Sequence, residues 1–462
     1  MPSFAGSLEI IDPGGAGGRA APCHVTFDTE RMTLASPTGA ALAFDLGDID
    51  EFLPADFELT LKLYTGQNIR LRQFGKAFQN LCHDLLEAWR NRLVQCLLLE
   101  DLEELIRVEG FARFDSTESR FAQPAELRLY RSNLAVLPVS ATGFQWRLAD
   151  IDAVDFDANE YSLAIRSGAD QVIVSRLARR TDEFRNRLND AMTQLSERSA
   201  TVVQRLFPFL SPSQVWQVTG ILKEGRSAPV SALSGIHSRI EQALLENAID
   251  ADLRPYFDSL KEQSTTRGIH TGFKLIRRES ETEGGTAGPE EEGGEAAGTG
   301  TTEVDVRRSP LGDLEAGGPG DGPESDEILH WFFFPLRAGP EAGVPANVLA
   351  WEATSRSGRA TYCFGLPATE GAALPAGASQ ASVPIDVAVQ RLNRGIALLN
   401  FRREPIYLPD DSLELQPRFR RYAIASRKIP VLRELRKQFL GRALHTAPEA
   451  WKKQLQALLA KA

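Results

Sequence analysis

The chain lacks the motifs by which many enzymes and metal sites are recognised. Its 462 residues contain four cysteines without a C-x-x-C pair and six histidines without an H-E-x-x-H or H-x-x-x-H pair. Neither a zinc site nor a disulfide framework is therefore indicated. There is also no G-x-S-x-G elbow and no G-K-[ST] phosphate loop. We predict no catalytic residue, no metal site and no cofactor, although motif analysis does not detect a catalytic site assembled from distant residues.

Long apolar runs are missing as well. No stretch of about 18 apolar residues is present, as a membrane-spanning helix would require. The first nine residues lack the basic region and apolar core of a signal peptide. We therefore expect a cytoplasmic protein without a transmembrane segment.

The acidic residues are concentrated in one part of the chain. The net charge is −10, but residues 279–327 alone hold 15 Asp/Glu and 2 Arg, a balance of −13, so the remainder carries +3. This segment is rich in Gly, Pro and Glu and poor in aromatic residues, so it cannot bury enough apolar surface to offset its chain entropy. The sequence predicts a disordered acidic insertion, or linker, over residues 279–327.

A unit of sequence occurs twice, at an offset of 102 residues. Leu46-Gly-Asp-Ile-Asp50, here called motif 1, recurs as Leu148-Ala-Asp-Ile-Asp152, motif 2. In each copy an alternating strand-like run follows the motif and ends before Gly66 or Gly168. Apolar residues at three- and four-residue intervals come next, which is typical of an amphipathic helix. The sequence predicts two tandem modules, each a β-meander followed by a helix.

This order of elements resembles the pleckstrin-homology-like (PH-like) superfold, including its GRAM-like and bacterial variants. The resemblance covers residues of about 22–200 and rests on the strand ending in Leu-x-Asp-Ile-Asp, the alternating strand, the Gly turn, one more strand and the helix. It implies the fold of each module. Members of the superfold have lipid-binding, peptide-binding and purely architectural roles.

The predicted fold class is α+β, in four parts. These are PH-like module 1 with its long C-terminal helix (1–106), PH-like module 2 (107–200), a helical connector (201–266) and a C-terminal α+β domain (267–462) that contains the acidic insertion. Strand candidates 272–276 and 328–335 are expected to pair, which would make the insertion an oversized hairpin loop.

Several packing positions can be predicted from the apolar pattern. The motifs should turn their Leu and Ile inward and leave their aspartates near solvent or capping backbone N–H groups. Trp89 should pack with Phe78 and Leu85 against its own sheet. Residues 331–334, Trp-Phe-Phe-Phe, are expected to form a central strand that is covered on both faces. Residues 14–18 are expected to be a flexible terminus.

The last 45 residues contain the one strongly basic region. From Arg418 to Ala462 there are 12 Lys/Arg against 2 Glu, a balance of +10, and an apolar stripe runs through the predicted helix 418–441. Such a helix can bind an anionic membrane or nucleic acid phosphates, or it can be the solvated face of a packed helix. The candidate polyanion- or partner-binding residues are Arg418, Arg420, Arg421, Arg427, Lys428, Arg433, Arg436, Lys437 and Arg442.

We predict a non-enzymatic cytoplasmic scaffold or adaptor that binds a protein partner through its PH-like modules. Peripheral binding of anionic lipid or nucleic acid through the C-terminal basic helices is the alternative. An enzyme whose site is not visible in the sequence is the third hypothesis.

Overall fold

A computed structural model describes residues 2–15, 17–37, 41–116, 120–264, 268–276, 327–337, 347–354, 359–366 and 384–461. The acidic segment predicted to be disordered, 279–327, lies outside the described residues except for Glu327, which begins a strand. The described residues form α-helices and three antiparallel sheets. They divide into two compact units: unit 1 is Met1–Arg226 with Gln390–Phe439, and unit 2 is Ser227–Val389 with Leu440–Ala462.

Unit 1 contains two seven-stranded sheets with the same topology. The strand orders are β4-β3-β2-β1-β7-β6-β5 in module 1 and β11-β10-β9-β8-β14-β13-β12 in module 2. The prediction of two copies of one topology is confirmed. The strands of module 1 are β1 (Ser3–Ile11), β2 (Ala21–Phe27), β3 (Arg31–Ala35), β4 (Leu42–Asp45), β5 (Ile49–Ala55), β6 (Glu58–Leu63) and β7 (Asn68–Arg72). Those of module 2 are β8 (Glu104–Asp115), β9 (Arg120–Tyr130), β10 (Asn133–Pro138), β11 (Phe144–Arg147), β12 (Ala153–Asp157), β13 (Ser162–Ser167) and β14 (Asp170–Ser175).

The offset between the modules changes after the fifth strand. Phe52 pairs with Leu61 in module 1, whereas its match Val154 pairs with Ile165 in module 2. The offset is therefore 102 in the fifth strands but 104 in the sixth. The cause is the turn, because residues 158–161 join β12 to β13 while only residues 56–57 join β5 to β6.

A long helix follows each sheet, α1 (Phe78–Cys96) and α2 (Thr181–Leu206). Trp89 of α1 is 0% exposed and stacks on Phe52 with ring centroids 5.9 Å apart. Its Nε1 donates to the Ile49 carbonyl oxygen over 3.3 Å. Phe78 and Leu85 are also buried, so the expected packing of this face is confirmed.

The strands begin earlier than the sequence pattern indicated: β1 precedes the predicted pattern that starts at about residue 22, and β8 begins at Glu104, three residues before the predicted start of module 2. Paired strands, β1 and β2, therefore lie on either side of residues 14–18, so the prediction that these residues are a terminus is wrong. A glycine in each first strand allows the junction between sheet and helix to pack closely. A Cβ on Gly6 would lie 2.5 Å from the Phe74 ring, and one on Gly110 would lie 2.5 Å from Leu177. The sequence analysis did not identify these two glycines as matching positions of the modules.

The two junctions also share an unusual backbone shape. In module 1, Gln73 and Gly75 have φ values of 62° and 54°, and in module 2 Arg176 and Ala178 have φ values of 59° and 51°. Left-handed backbone conformations are unfavourable for residues with a Cβ and freely accessible to glycine. Only module 1 has glycine at the second of these positions.

Ala178→Gly is expected to raise the free energy of unfolding of unit 1 by up to about 1 kcal/mol, because glycine adopts the left-handed backbone conformation of this position without the steric cost of a Cβ. The reverse change, Gly75→Ala, should lower it by a similar amount. No atom lies within 4 Å of a Cβ built on Gly75, so the cost would come from the backbone alone. Urea unfolding midpoints measure both effects, and a loss of stability in Ala178→Gly would refute the account.

Unit 1 is completed by a short helical part and by residues 390–439, here called the C-terminal segment of unit 1. The helices are α3 (Pro212–Ile221), the part of α7 (Ile385–Leu398) from Gln390 onward, α8 (Glu404–Tyr407), α9 (Asp410–Leu415), α10 (Pro417–Lys428) and α11 (Pro430–Gln438). The single helix predicted over 418–441 is wrong. Pro430 has no N–H and disfavours a helical residue before it, so the helix breaks at Ile429, where φ is −102° and ψ 107°. Beyond α11 the chain becomes a strand.

Unit 2 is a six-stranded sheet with helices, in the order β15-β16-β17-β18-β19-β20. Its elements are β15 (Ala228–Pro229), α4 (Val230–Ile236), α5 (Ile240–Asn247), α6 (Arg254–Gln263), β16 (His270–Ile276), β17 (Glu327–Leu336), β18 (Val348–Ala353), β19 (Ala360–Gly365), β20 (Phe439–Leu444) and α12 (Pro448–Leu459). Gly272 pairs with Trp331, so the predicted pairing of the strands on either side of the acidic insertion is confirmed. Residues 331–334 are buried, as expected for a core strand.

The two units divide the chain differently from the four predicted parts. Residues 201–226 of the predicted connector belong to unit 1, and the rest of the connector belongs to unit 2. The C-terminal segment of unit 1 lies within the predicted C-terminal domain but packs with the two modules. The physical reason is a set of ion pairs that the local sequence pattern does not reveal.

Candidate functional site

Motifs 1 and 2 form matching corners in the two modules. A single 3-10 turn, Leu46–Asp48 or Leu148–Asp150, joins the fourth strand to the fifth in each module. Leu46, Ile49, Leu148 and Ile151 are buried, so their expected inward position is confirmed. The turns bring the first motif aspartate, Asp48 or Asp150, to the same place in each copy.

A buried ion pair lies beside motif 1. The Arg92 guanidinium of α1 donates to both carboxylate oxygens of Asp45, from Nε over 2.8 Å and from Nη2 over 2.6 Å. The two side chains are only 6% and 7% exposed. Paired donors of this geometry make one of the stronger side-chain interactions, and a buried charge of this kind is costly if its partner is removed.

Two arginines of α10 add to the same carboxylates. Arg420 places Nε 3.3 Å from Asp45 and Nη2 3.3 Å from Asp48. Arg427 donates from Nη2 to Asp48 over 2.7 Å and also pairs with Glu414. Motif 1 therefore anchors α10 to module 1.

Lys428 completes this site. Its Nζ donates to the Ile49 carbonyl oxygen over 2.9 Å and to the Asp50 carboxylate over 2.8 Å. The side chain is 4% exposed. Because the buried Lys428 ammonium group is hydrogen-bonded to these two protein acceptors, Lys428 is a structural contact of motif 1.

Motif 2 contains the matching site with a different set of charges. Asp150 accepts from Arg147 Nε and Nη2, both over 2.8 Å. Arg147 stands at the position matched by Asp45, so the charge at that position is reversed between the modules. Arg394 of the C-terminal segment of unit 1 lies 3.6 Å from Asp150 and donates to Ser167 Oγ over 2.7 Å. The same segment therefore reaches both motifs.

The motif aspartates differ in exposure. Asp152 accepts from the Gly168 N–H over 2.7 Å and lies 3.5 Å from Arg226, so its expected capping role is confirmed. Asp48 and Asp150 are buried against arginines. A position near solvent is therefore wrong for these two residues, although Asp48 also accepts from the Asp45 backbone N–H, which is the capping alternative of the prediction.

The surroundings shift the pKa values of the buried carboxyls. Burial alone would raise the pKa of Asp150, but Arg147 and Arg394 outweigh it and hold that pKa below its usual range. Burial likewise opposes the effect of Arg92 on Asp45, whose pKa is lowered. The pKa of Asp48 is raised by burial, with a further contribution from neighbouring Asp45.

Asp150 should therefore stabilise unit 1 in a pH-dependent manner. A carboxyl with a lowered pKa in the folded state contributes stability that is present above the unfolded pKa of about 3.9 and is lost as pH falls toward the folded value. We expect the difference in unfolding free energy between the parent and Asp150→Asn to be constant from about pH 7 to 5 and to shrink below about pH 4. Urea unfolding along this series is the measurement. A difference that stays constant to pH 3 would contradict the assignment.

The nine candidate basic residues fall into two groups. Arg421 pairs with Glu100, and Arg436 donates to the Leu408 carbonyl oxygen over 2.8 Å and to Asp410 over 2.6 Å. Five of the nine thus have anionic partners within unit 1: Arg420, Arg421, Arg427, Lys428 and Arg436. The remaining four are exposed: Arg418, Arg433, Lys437 and Arg442. The structure brings Arg420, Arg427 and Lys428 together at motif 1.

The two modules also contact each other directly. Arg90 of α1 places Nη1 2.7 Å from Glu109 and 3.3 Å from Glu126, both in module 2. Gln145 of module 2 donates to the Leu97 carbonyl oxygen at the end of α1. The helix of the first module is therefore part of the interface with the second.

A separate buried polar cluster lies in unit 2. The Thr361 hydroxyl donates to Glu352 over 2.7 Å and accepts from Trp451 Nε1 over 2.9 Å, while His445 Nε2 lies 3.4 Å from Glu352. Tyr256 stacks on the His445 ring at 4.2 Å. The Glu352 and His445 side chains are 3% and 2% exposed, so the geometry indicates a link between the sheet and α12. The sequence does not reveal this cluster because its members are far apart in the chain.

The thiol nearest this cluster is not activated. Burial raises the pKa of Cys363 to about 12, with a smaller contribution from Glu352. A protonated, buried thiol is a poor nucleophile. Over the ranges described by the structure, no group of three or more His, Cys, Asp or Glu residues is placed to hold a metal ion.

The same described ranges contain no helix that is both long enough and apolar enough to cross a membrane. Comparison of the chain with protein-family models and with curated proteins gave no match.

Proposed function

We propose that the chain is a non-enzymatic cytoplasmic scaffold or adaptor in which two PH-like modules form one partner-binding body. The observation that carries the proposal is the use of the C-terminal segment of unit 1. Its Arg394 contacts motif 2, while Arg420 and Arg427 contact motif 1. A single segment therefore joins both modules, which is the construction that an adaptor of fixed geometry needs.

The assignment of the basic residues favours this function over polyanion binding. Five of the nine candidate cations already pair with carboxylates of the protein, and several of them are half-buried or buried. Binding of a phosphate group by these side chains would require breaking those pairs. Loss of the partner of a buried charge costs several kcal/mol.

The test compares polyanions with proteins as ligands across a salt series. We expect little binding of phosphatidylserine vesicles or duplex DNA at about 0.15 M salt, where screening is substantial. Charge reversal of two exposed candidates, Arg433→Glu with Lys437→Glu, should change this little. A defined protein captured from native lysate should remain bound as salt is raised. Tight vesicle or DNA binding that falls steeply with salt and is lost in the double variant would refute the proposal in favour of the polyanion alternative.

A further inference from the structure

The fifth strands of the two modules are matched edges of their sheets, but only one of them is protected. β5 lies at the end of the module 1 sheet and contains Pro54. Proline has no N–H to offer, and within sheets it is found at edges, where it prevents the pairing of another strand. In β5, moreover, the Ile49 carbonyl oxygen accepts from Lys428, and the Phe52 carbonyl oxygen accepts from Ser140 Oγ over 3.3 Å.

β12, the matching edge of module 2, carries Phe156 at the position of Pro54. Within the described part of the chain, β12 pairs with β13 and with no other strand. Val154 and Phe156 are half-buried and pack on the module 2 core. Asp155 and Asp157, on the opposite side of the strand, are exposed. An extended backbone with an N–H at position 156 is therefore available at this edge.

The charges of β12 select its occupant. Asp155, Asp157 and nearby Glu160 are exposed, and Arg166 forms an ion pair with Asp155 over 2.5 Å. Pairing of β12 with β12 of a second copy would set acidic side chains across from acidic side chains, which is unfavourable. A strand with basic side chains on that face would be attracted.

We infer that β12 binds an extended segment of a protein partner in which basic and apolar residues alternate. Strand addition supplies main-chain hydrogen bonds, and alternate side chains supply specificity. Because side chains alternate between faces, the basic residues would lie beside Asp155 and Asp157 and the apolar ones beside Val154 and Phe156. This inference rests on the proposed scaffold function and names its docking edge and the chemistry of its partner.

The probe is a fluorescent ten-residue peptide of alternating Lys and Val, titrated against the full chain by anisotropy. A block peptide of the same composition, five Lys then five Val, is the control for non-specific attraction to an acidic protein. We expect the alternating peptide to bind at least about tenfold more tightly, a difference of about 1.4 kcal/mol. Equal binding of the two peptides would overturn the inference.

Two variants locate the binding. Phe156→Pro places a proline in β12 at the position that Pro54 has in β5, and it should abolish the preference for the alternating peptide. Asp155→Lys with Asp157→Lys should also abolish this preference, and it replaces the proline variant if that variant fails to fold. Asp190→Lys with Glu197→Lys, an equal change of charge at exposed positions of α2, should retain it. Unchanged binding by both β12 variants would overturn the inference, as would a concentration-dependent dimer that Phe156→Pro dissociates.

The outcomes also separate this inference from the scaffold proposal. If the peptide shows no preference while the chain still retains a defined protein at high salt, the β12 edge is not the docking site and the scaffold proposal stands. If the peptide binds at β12 but the chain shows salt-sensitive vesicle or DNA binding that depends on Arg433 and Lys437, the scaffold proposal fails and the edge assignment stands.

Discussion

Arg92→Met is expected to lower the free energy of unfolding of unit 1 by about 3 to 5 kcal/mol, because it leaves the buried Asp45 carboxylate without its bidentate partner. Methionine retains the apolar stem of the side chain, so the loss reports the charge. Arg420 lies 3.3 Å from Asp45 and still partners its carboxylate in the variant, so we expect a loss of stability at the lower end of this range. Urea unfolding gives the value.

The control for Arg92→Met is Arg166→Met. Arg166 pairs with Asp155, and these side chains are 49% and 58% exposed. Exposed ion pairs contribute about 0 to 1 kcal/mol, so the control should change the unfolding free energy by less than about 1 kcal/mol. Equal effects of the two substitutions would mean that the Arg92–Asp45 pair is not buried.

Trp89→Ala is expected to cost about 3 to 5 kcal/mol, since it removes a large aromatic side chain from a packed core. The same substitution also leaves the Ile49 carbonyl oxygen without the indole N–H that now donates to it. Urea unfolding of unit 1 again measures the effect.

Trp216→Ala is the matched control, because Trp216 is 56% exposed on α3. A surface substitution of this kind usually changes stability by no more than about 0.5 kcal/mol. A loss below about 1 kcal/mol for Trp89→Ala would show that this face of α1 is not packed on its sheet.

The repeated architecture could be predicted because its signals are local. Motifs 1 and 2 carry nearly the same residues, although the structure places them at the turn between two strands rather than at the end of one, and apolar periodicity distinguishes α1 and α2 from the strands before them. Pairing of β16 with β17 across the acidic insertion could also be predicted, since a long intervening loop adds little closure entropy. The first strands were missed because Gly6 and Gly110 weaken the strand pattern, and their close contacts with the helix junctions are tertiary.

The candidate site could be predicted only in part. The basic composition of residues 418–442 is visible in the sequence, but the carboxylate with which each basic side chain pairs is not. Arg427 and Asp48 are separated by 379 positions, and no periodicity relates them. One signal was available: two motifs that place aspartates among residues expected to be buried require cations elsewhere in the chain, because buried carboxylates are rarely left unpaired. The cluster around Glu352 and His445 offers no comparable signal.

A double-mutant cycle between Asp48 and Arg427 tests most directly whether motif 1 anchors the C-terminal segment of unit 1. The cycle compares unfolding free energies of the parent, Asp48→Asn, Arg427→Met and the double variant. Contact over 2.7 Å between a buried carboxylate and a guanidinium predicts a coupling free energy of about 1 to 3 kcal/mol. Additive effects, with coupling below about 0.5 kcal/mol, would contradict the account and leave the basic helix free to bind an external anion.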